Sequence, residues 1–213
     1  GIIGCGWIAE KVYLPIIRHS NNSCVYAIYD PNKHQLSLIK EKYNIPFVYN
    51  SLDDFLDSPI DAVIITSPNN THSYYSNCSL IAGKHVLCEK PVAFTVLDLK
   101  KTLSIADLNR KIFFPGLVNR YRKDVRIFKN KSKNIGKVKN IETYWKRKCG
   151  IPKPGSWITN NNYAGGGALI DIGTHLIDIA LMFIDNYEIK SVNSEFGTIQ
   201  DVNKFKSNWN NNK

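Results

Sequence analysis

The chain has 213 residues, of which 43% are hydrophobic and 22% charged, with a net charge of +10. This is a globular composition, neither disordered nor fibrous. No apolar run approaches the roughly 18–20 residues of a membrane helix. Gly1-Ile2-Ile3 carries neither a basic leader nor a cleavage-type signal, so the reading is of a soluble cytoplasmic protein with no membrane partner. Five cysteines form no Cys-x-x-Cys pair, and their odd number fits reduced thiols better than a disulfide framework.

From residue 1 to about 115, apolar runs bounded by turn residues alternate with helical patterns. Strands are predicted at Ile2–Ile3, 24–29, Ala62–Ile65 and His85–Cys88. Helices are predicted over 8–19, 33–43, 72–82 and 96–109, with Asn70 or Thr71, and Thr95, as caps and Gly83 as a stop. Strand, helix, strand at this spacing means right-handed crossovers and a parallel, doubly wound α/β sheet. The rhythm changes around Pro115-Gly116. A short basic helix at 125–131 precedes an alternating strand at 138–146, a loop rich in Pro, Gly and Asn over 149–167, an apolar helix over 168–184 and a strand-like stretch at 189–199. The expected architecture is a Rossmann domain at 1–117 followed, at 118–213, by an incomplete α+β domain with a mainly antiparallel open sheet.

The charge follows that division: residues 1–109 hold 9 Lys/Arg against 10 Asp/Glu, and 110–213 hold 19 against 8. Between residues 110 and 153 there are 15 basic side chains and only Asp124 and Glu142 as acids. No nucleic-acid recognition motif interrupts this stretch, so it reads as a solvated face and no nucleic-acid partner is expected.

Gly4-Cys5-Gly6-Trp7-Ile8-Ala9 fits G-x-G-x-x-[G/A] between a strand and a helix. Gly4 permits the tight turn, Gly6 lets the backbone approach a pyrophosphate, and Ala9 allows close helix–sheet packing, while free amides at the helix start attract the anion. Asp30 lies 24 residues after Gly6, at the end of the second strand. There a carboxylate accepts hydrogen bonds from an adenosine ribose and repels a 2′-phosphate, which favours NAD while leaving NADP open. The lesser reading of Asp30, taken alone, is a turn residue of Asp30-Pro31-Asn32.

Lys90, in Glu89-Lys90-Pro91, sits at the carboxyl end of a parallel strand, where such sheets bind ligands, or is an ordinary surface charge. Asp171, His175 and Asp178 follow i, i+4, i+7 spacing on an apolar helix, which lines them on one face. They form either a site or a histidine satisfied in the core by Asp178. No three suitably spaced ligands call for a metal.

With these motifs, Thr66-Ser67-Pro68-Asn69-Asn70-Thr71-His72, Gly83-Lys84-His85-Val86-Leu87-Cys88-Glu89-Lys90-Pro91, Asn119-Arg120 and Asp171-Ile172-Gly173-Thr174-His175, the sequence resembles the Gfo/Idh/MocA family of oxidoreductases over nearly its whole length. The resemblance implies an NAD(P)-dependent dehydrogenase of a sugar, inositol or related polyol, a homo-oligomer when full length. It maps the catalytic group onto Lys90, Asp171 and His175. Cofactor contacts fall on Gly4, Gly6, Trp7, Ile8, Asp30, Thr66, Pro68, Asn69, His72, Glu89, Lys90 and Asn119. Arg147 and Trp157 would touch substrate beside Lys90, Asp171 and His175. Family members begin before the glycine loop and continue beyond residue 213, so the chain is expected to be a fragment. The alternatives are a dinucleotide-binding regulator without catalysis, or a member that cleaves glycosides.

Overall fold

The computed structural model describes residues 1–146, 150, 152–184, 186–195 and 197. The chain divides into two compact units, Gly1–Gly116 and Leu117–Lys213.

The first unit is a six-stranded sheet: β1 (Ile2–Ile3), β2 (Ala27–Tyr29), β3 (Phe47–Tyr49), β4 (Ala62–Ile65), β5 (His85–Cys88) and β6 (Phe113–Pro115), in the order β3-β2-β1-β4-β5-β6. Every neighbouring pair is parallel, as in the Rossmann fold. The period-2 alternation of strand side chains divides the core. Ile2 and Ile28 pack with Leu14, Leu36 and Ile39, whereas Ile3, Ala27, Tyr29, Val63 and Ile65 pack with Phe55, Leu56, Leu80 and Ala106. The helices supplying those partners are α1 (Leu14–Arg18), α2 (Lys33–Tyr43), α3 (Leu52–Asp57), α4 (His72–Ile81) and α5 (Val96–Leu108), with a π-helical turn, Ala9–Tyr13, running into α1.

Local chemistry sets the helix ends. Asn32 accepts amide hydrogens from His34 and Gln35 to start α2, and Asn44, at φ 53°, closes it in the left-handed region. Ser51 caps α3 and Thr95 caps α5 through their side-chain oxygens. Thr71 gives α4 no side-chain cap; its hydroxyl bonds the Pro68 carbonyl instead. Strands β3 and β6 and helix α3 have no counterpart among the elements expected from the sequence. Cys24, Val25 and Tyr26 precede the second strand rather than extend it.

In the second unit, α6 (Lys123–Ser132), α7 (Asn161–Ala164) and α8 (Thr174–Leu181) are joined by loops, with a second π-helical turn, Leu169–Gly173, leading into α8. The expected strand at 138–146 does not form, and none occurs among the described residues of 189–199. A period-2 pattern becomes a strand only where another strand offers hydrogen bonds, and the described residues of this unit contain no strand. Instead Val138 and Ile141 line a groove of about 520 Å³ with Val125, Phe128, Ile179 and Phe183.

By length and composition, Asn161–Leu181 is apolar enough to cross a membrane (mean hydropathy 1.2), which corrects the reading that no such segment exists. Its backbone, however, bends at 165–167, with Gly165 at φ 80°. Exposed bends leave backbone polar groups that hydrocarbon cannot satisfy.

Candidate functional site

The glycine loop leaves β1 at the centre of the sheet, where neighbouring strands β2 and β4 are reached by crossovers in opposite directions. That switch point opens a crevice at the carboxyl ends of the strands. Gly4 has φ 88°, and a Cβ there would come within 2.6 Å of the Ser67 backbone nitrogen and 2.7 Å of its Cα. Its amide donates to the Tyr29 carbonyl at 2.9 Å. The loop is thus pressed against the segment after β4, an approach only glycine allows. Gly6 differs: a Cβ there would meet nothing within 4 Å. The space over Gly6 is open, as a cradle for a pyrophosphate requires.

Asp30 stands beside this loop. Its carboxylate accepts from the Cys5 amide at 2.8 Å and the Asn32 amide at 2.8 Å, so one acid braces both the glycine loop and its own turn. The turn reading and the ligand reading are therefore compatible, since each oxygen keeps a further lone pair. Gln35 adds a third tie, donating to the Cys5 carbonyl at 2.7 Å. Thr66 donates to the Gly4 carbonyl at 2.6 Å. Burial, reinforced by the Asp30 charge, pushes the Cys5 thiol up to about 12, so Cys5 is packing rather than a nucleophile. Trp7 is half exposed at the start of the helix, Ile8 and Pro68 are partly buried, and Asn69 is buried.

His72 departs from expectation. It is 1% exposed, and its Nδ1 and Nε2 lie 2.7 Å from the Pro91 carbonyl and 2.9 Å from the Ser67 carbonyl. A side chain this enclosed has no surface with which to line a cofactor, so that assignment is corrected. His72 instead ties the loop after β4 to the Glu89-Lys90-Pro91 turn. Burial holds its imidazole below the ordinary pKa, and the two carbonyl contacts only partly offset that.

The turn itself follows β5. The Tyr13 phenol donates to Glu89 Oε1 at 2.7 Å, and the Lys90 amide to Oε2 at 3.2 Å. The Gly116 amide donates to the Cys88 carbonyl at 2.7 Å, and a Cβ on Gly116 would sit 3.1 Å from Glu89 Cα. Lys90 is half-buried, and its bond to Pro91 is cis. The first unit thus gathers Gly4, Gly6, Asp30, Thr66, Glu89 and Lys90 along the carboxyl ends of β1, β2, β4 and β5.

In the second unit Asp171 lies within the π-helical turn and His175 one residue into α8, both half-buried. Such turns recur at functional sites because they displace side chains from the regular helical phase. The Ile170 carbonyl accepts from the Thr174 hydroxyl at 2.7 Å. Asp178 has its own partner in Arg120. It is buried, and Arg120 Nε bonds both its oxygens at 2.8 Å while Nη2 takes Oδ1. This pair holds the turn Val118–Tyr121 onto α8, and with it Asn119, which is buried. Trp157 heads a short turn and is exposed, while Arg147 lies outside the described residues.

Three residues organise these sites in ways the sequence does not assign: Tyr13 and Gln35 belong to no motif, and Arg120 enters only within the Asn119-Arg120 pair, without a role. Their partners are 76, 30 and 58 residues away, beyond any local pattern.

The profile of an oxidoreductase family with an NAD-binding Rossmann fold matches residues 1–117, and that of the GFO/IDH/MocA C-terminal domain matches 130–208. A D-glucoside 3-dehydrogenase of Escherichia coli is 30% identical over 96% of the chain, which spans 60% of that protein. A myo-inositol 2-dehydrogenase of Thermotoga maritima is 26% identical over 94% of the chain, which spans 59% of it. The chain therefore covers about three fifths of these relatives. A crystal structure of an NAD-binding protein from Listeria innocua superposes with a TM-score of 0.77 at 30% identity, over 86% of this chain and 54% of that one.

Proposed function

The chain belongs to the Gfo/Idh/MocA family of oxidoreductases, and from that premise we propose that it serves a dehydrogenase acting on a hydroxyl of a sugar, inositol or related polyol with NAD. The observation that carries the reading is the cradle at the sheet's switch point: open space over Gly6, Gly4 locked against Ser67, and Asp30 fixed beside the loop by two amides. These residues fit a dinucleotide, with the loop amides toward the pyrophosphate and Asp30 toward the adenosine ribose, where its charge disfavours a 2′-phosphate. The two dehydrogenase relatives support a polyol as substrate.

In this reading His175 accepts the proton of the substrate hydroxyl, a task suited to an imidazole at neutral pH. The Lys90 ammonium stabilises the oxyanion as charge develops, and Asp171 orients substrate hydroxyls or Lys90. The nicotinamide supplies the hydride acceptor when bound. His72 and Glu89 fix the backbone from which Lys90 projects, so its ammonium needs little reorganisation.

The test is a panel of sugars, sugar phosphates and inositols screened for NAD reduction, with Lys90→Met and His175→Ala beside the parent. The expected result is turnover on a polyol that falls at least 100-fold in each variant, with the loss in His175→Ala reduced toward high pH as free hydroxide substitutes for the base. Binding of NAD without reduction by any member of the panel refutes the dehydrogenase reading in favour of a dinucleotide-binding regulator. Unchanged rates in the variants refute the residue roles.

A further inference from the structure

Tyr13 is the last residue of the π-helical turn Ala9–Tyr13, directly downstream of the glycine loop. Its hydroxyl reaches across the unit to Glu89 Oε1, at 2.7 Å. Burial, followed by the Glu89 charge, raises the phenol far above its ordinary pKa, so it stays a donor throughout the neutral range. The second carboxylate oxygen takes the Lys90 amide at 3.2 Å. Glu89 is thereby clamped between the helix that follows the glycine loop and the backbone of the residue proposed to stabilise the oxyanion.

The sheet order says what such a clamp faces. A dinucleotide lying across the switch point with its adenosine ribose at the end of β2 and its pyrophosphate at the end of β1 must place its second nucleoside over β4 and β5. Successive strands are about 4.8 Å apart. The end of β5 is therefore about 14 Å from the end of β2, three strand spacings away. At one end the acid is Asp30, held by the amides of Cys5 and Asn32. At the other it is Glu89, half-buried and held by Tyr13 and the Lys90 amide. Each keeps lone pairs for a ribose hydroxyl, and each is fixed by donors that stop the carboxylate from turning.

We propose that Tyr13 is a positioning residue for the nicotinamide half of the dinucleotide. By fixing Glu89 it makes the glycine-loop helix and the Glu89-Lys90-Pro91 turn a single grip on the second ribose. The inference rests on the dinucleotide reading above and deepens it. Without the phenol, Glu89 can rotate away from the ribose, while the pyrophosphate cradle and Asp30, which make no bond to Tyr13, are untouched.

ADP carries the adenosine, its ribose and the pyrophosphate but no second nucleoside, so comparing it with NAD isolates the half in question. Calorimetric titration of the parent protein, Tyr13→Phe and Glu89→Gln with NAD and with ADP is the test, with thermal unfolding recorded for each. The expected result is that Tyr13→Phe weakens NAD about tenfold, the worth of one hydrogen bond to a charged group, and leaves ADP within twofold. Glu89→Gln should weaken NAD by at least as much and likewise spare ADP. Equal weakening of both ligands by Tyr13→Phe overturns the proposal, because it marks Tyr13 as support for the whole loop. Unchanged NAD affinity overturns it as well. Failure of the parent protein to bind either ligand overturns the dinucleotide reading itself, and this inference with it.

Discussion

Two glycines of one loop separate stability from binding. Substituting Gly4 by alanine puts a Cβ 2.6 Å from the Ser67 nitrogen and 2.7 Å from its Cα. Both are backbone atoms of the segment entering α4, so neither can rotate aside. A methyl in a position that cannot yield costs about 1–3 kcal/mol. A non-glycine residue held at φ 88° adds about 1–3 kcal/mol. The sum centres on about 4 kcal/mol, a large share of the 5–15 kcal/mol that holds a typical domain together. At about 2–4 °C per kcal/mol for a chain of this size, Tm should fall by about 8–16 °C.

Gly6 has neither problem, since its Cβ meets nothing within 4 Å and its φ lies outside the left-handed region. Gly6→Ala should shift Tm by only about 2 °C in either direction, with the alanine restricting the unfolded chain slightly. In the same protein the methyl enters the space proposed for the pyrophosphate, and NAD affinity should drop about 100-fold or more. Differential scanning calorimetry and NAD titration on the two variants decide the matter. A Gly6→Ala protein that melts as low as Gly4→Ala, or that binds NAD like the parent, refutes the division of labour within the loop.

The Arg120–Asp178 pair should be worth more than an ordinary surface salt bridge because the carboxylate is only 8% exposed while the guanidinium is 45% exposed. Arg120→Ala strands the buried carboxylate and should cost about 2–3 kcal/mol, short of the 3–5 of a fully buried pair. A double-mutant cycle with Asp178→Asn, read by urea unfolding, should give a coupling above about 1 kcal/mol, and independent effects would refute the pairing. His72 supplies a pH dependence. Its folded pKa lies below the ordinary value because burial outweighs the second carbonyl bond an imidazolium would make. Its stabilising contribution is therefore complete above the unfolded pKa of about 6.5 and is lost as pH falls through the folded value. Urea midpoints should drop less between pH 7.5 and 5.0 in His72→Gln than in the parent, and an equal or greater drop in the variant would refute the direction.

What the residue pattern disclosed and what it hid divide along a physical line. The four inner strands announce themselves as short runs rich in apolar residues: Ile2–Ile3 and Ala27–Tyr29 are buried throughout, and Ala62–Ile65 and His85–Cys88 bury every second residue. The edge strands Phe47–Tyr49 and Phe113–Pro115 have three residues each and remain partly exposed. They are strands only because β2 and β5 offer them a ladder, and a partner brought by the fold leaves no local trace. Residues 138–146 are the converse: their alternation is plain, yet no described strand of that unit meets them. The same division runs through the candidate sites. Gly4, Gly6 and Asp30 were legible because a tight turn and a phosphate cradle impose their spacing on adjacent residues. His72 was legible as a motif residue and misassigned, since spacing cannot distinguish a side chain facing a crevice from one enclosed between two carbonyls. The roles of Tyr13 and Arg120 are hidden, although Arg120 stands in the Asn119-Arg120 motif, because each acts on a carboxylate that only the tertiary fold brings near. The groups proposed to touch ligand are thus recorded locally, and the groups that hold them still are not. The Tyr13→Phe and Arg120→Ala variants therefore probe what the residue pattern alone could not show.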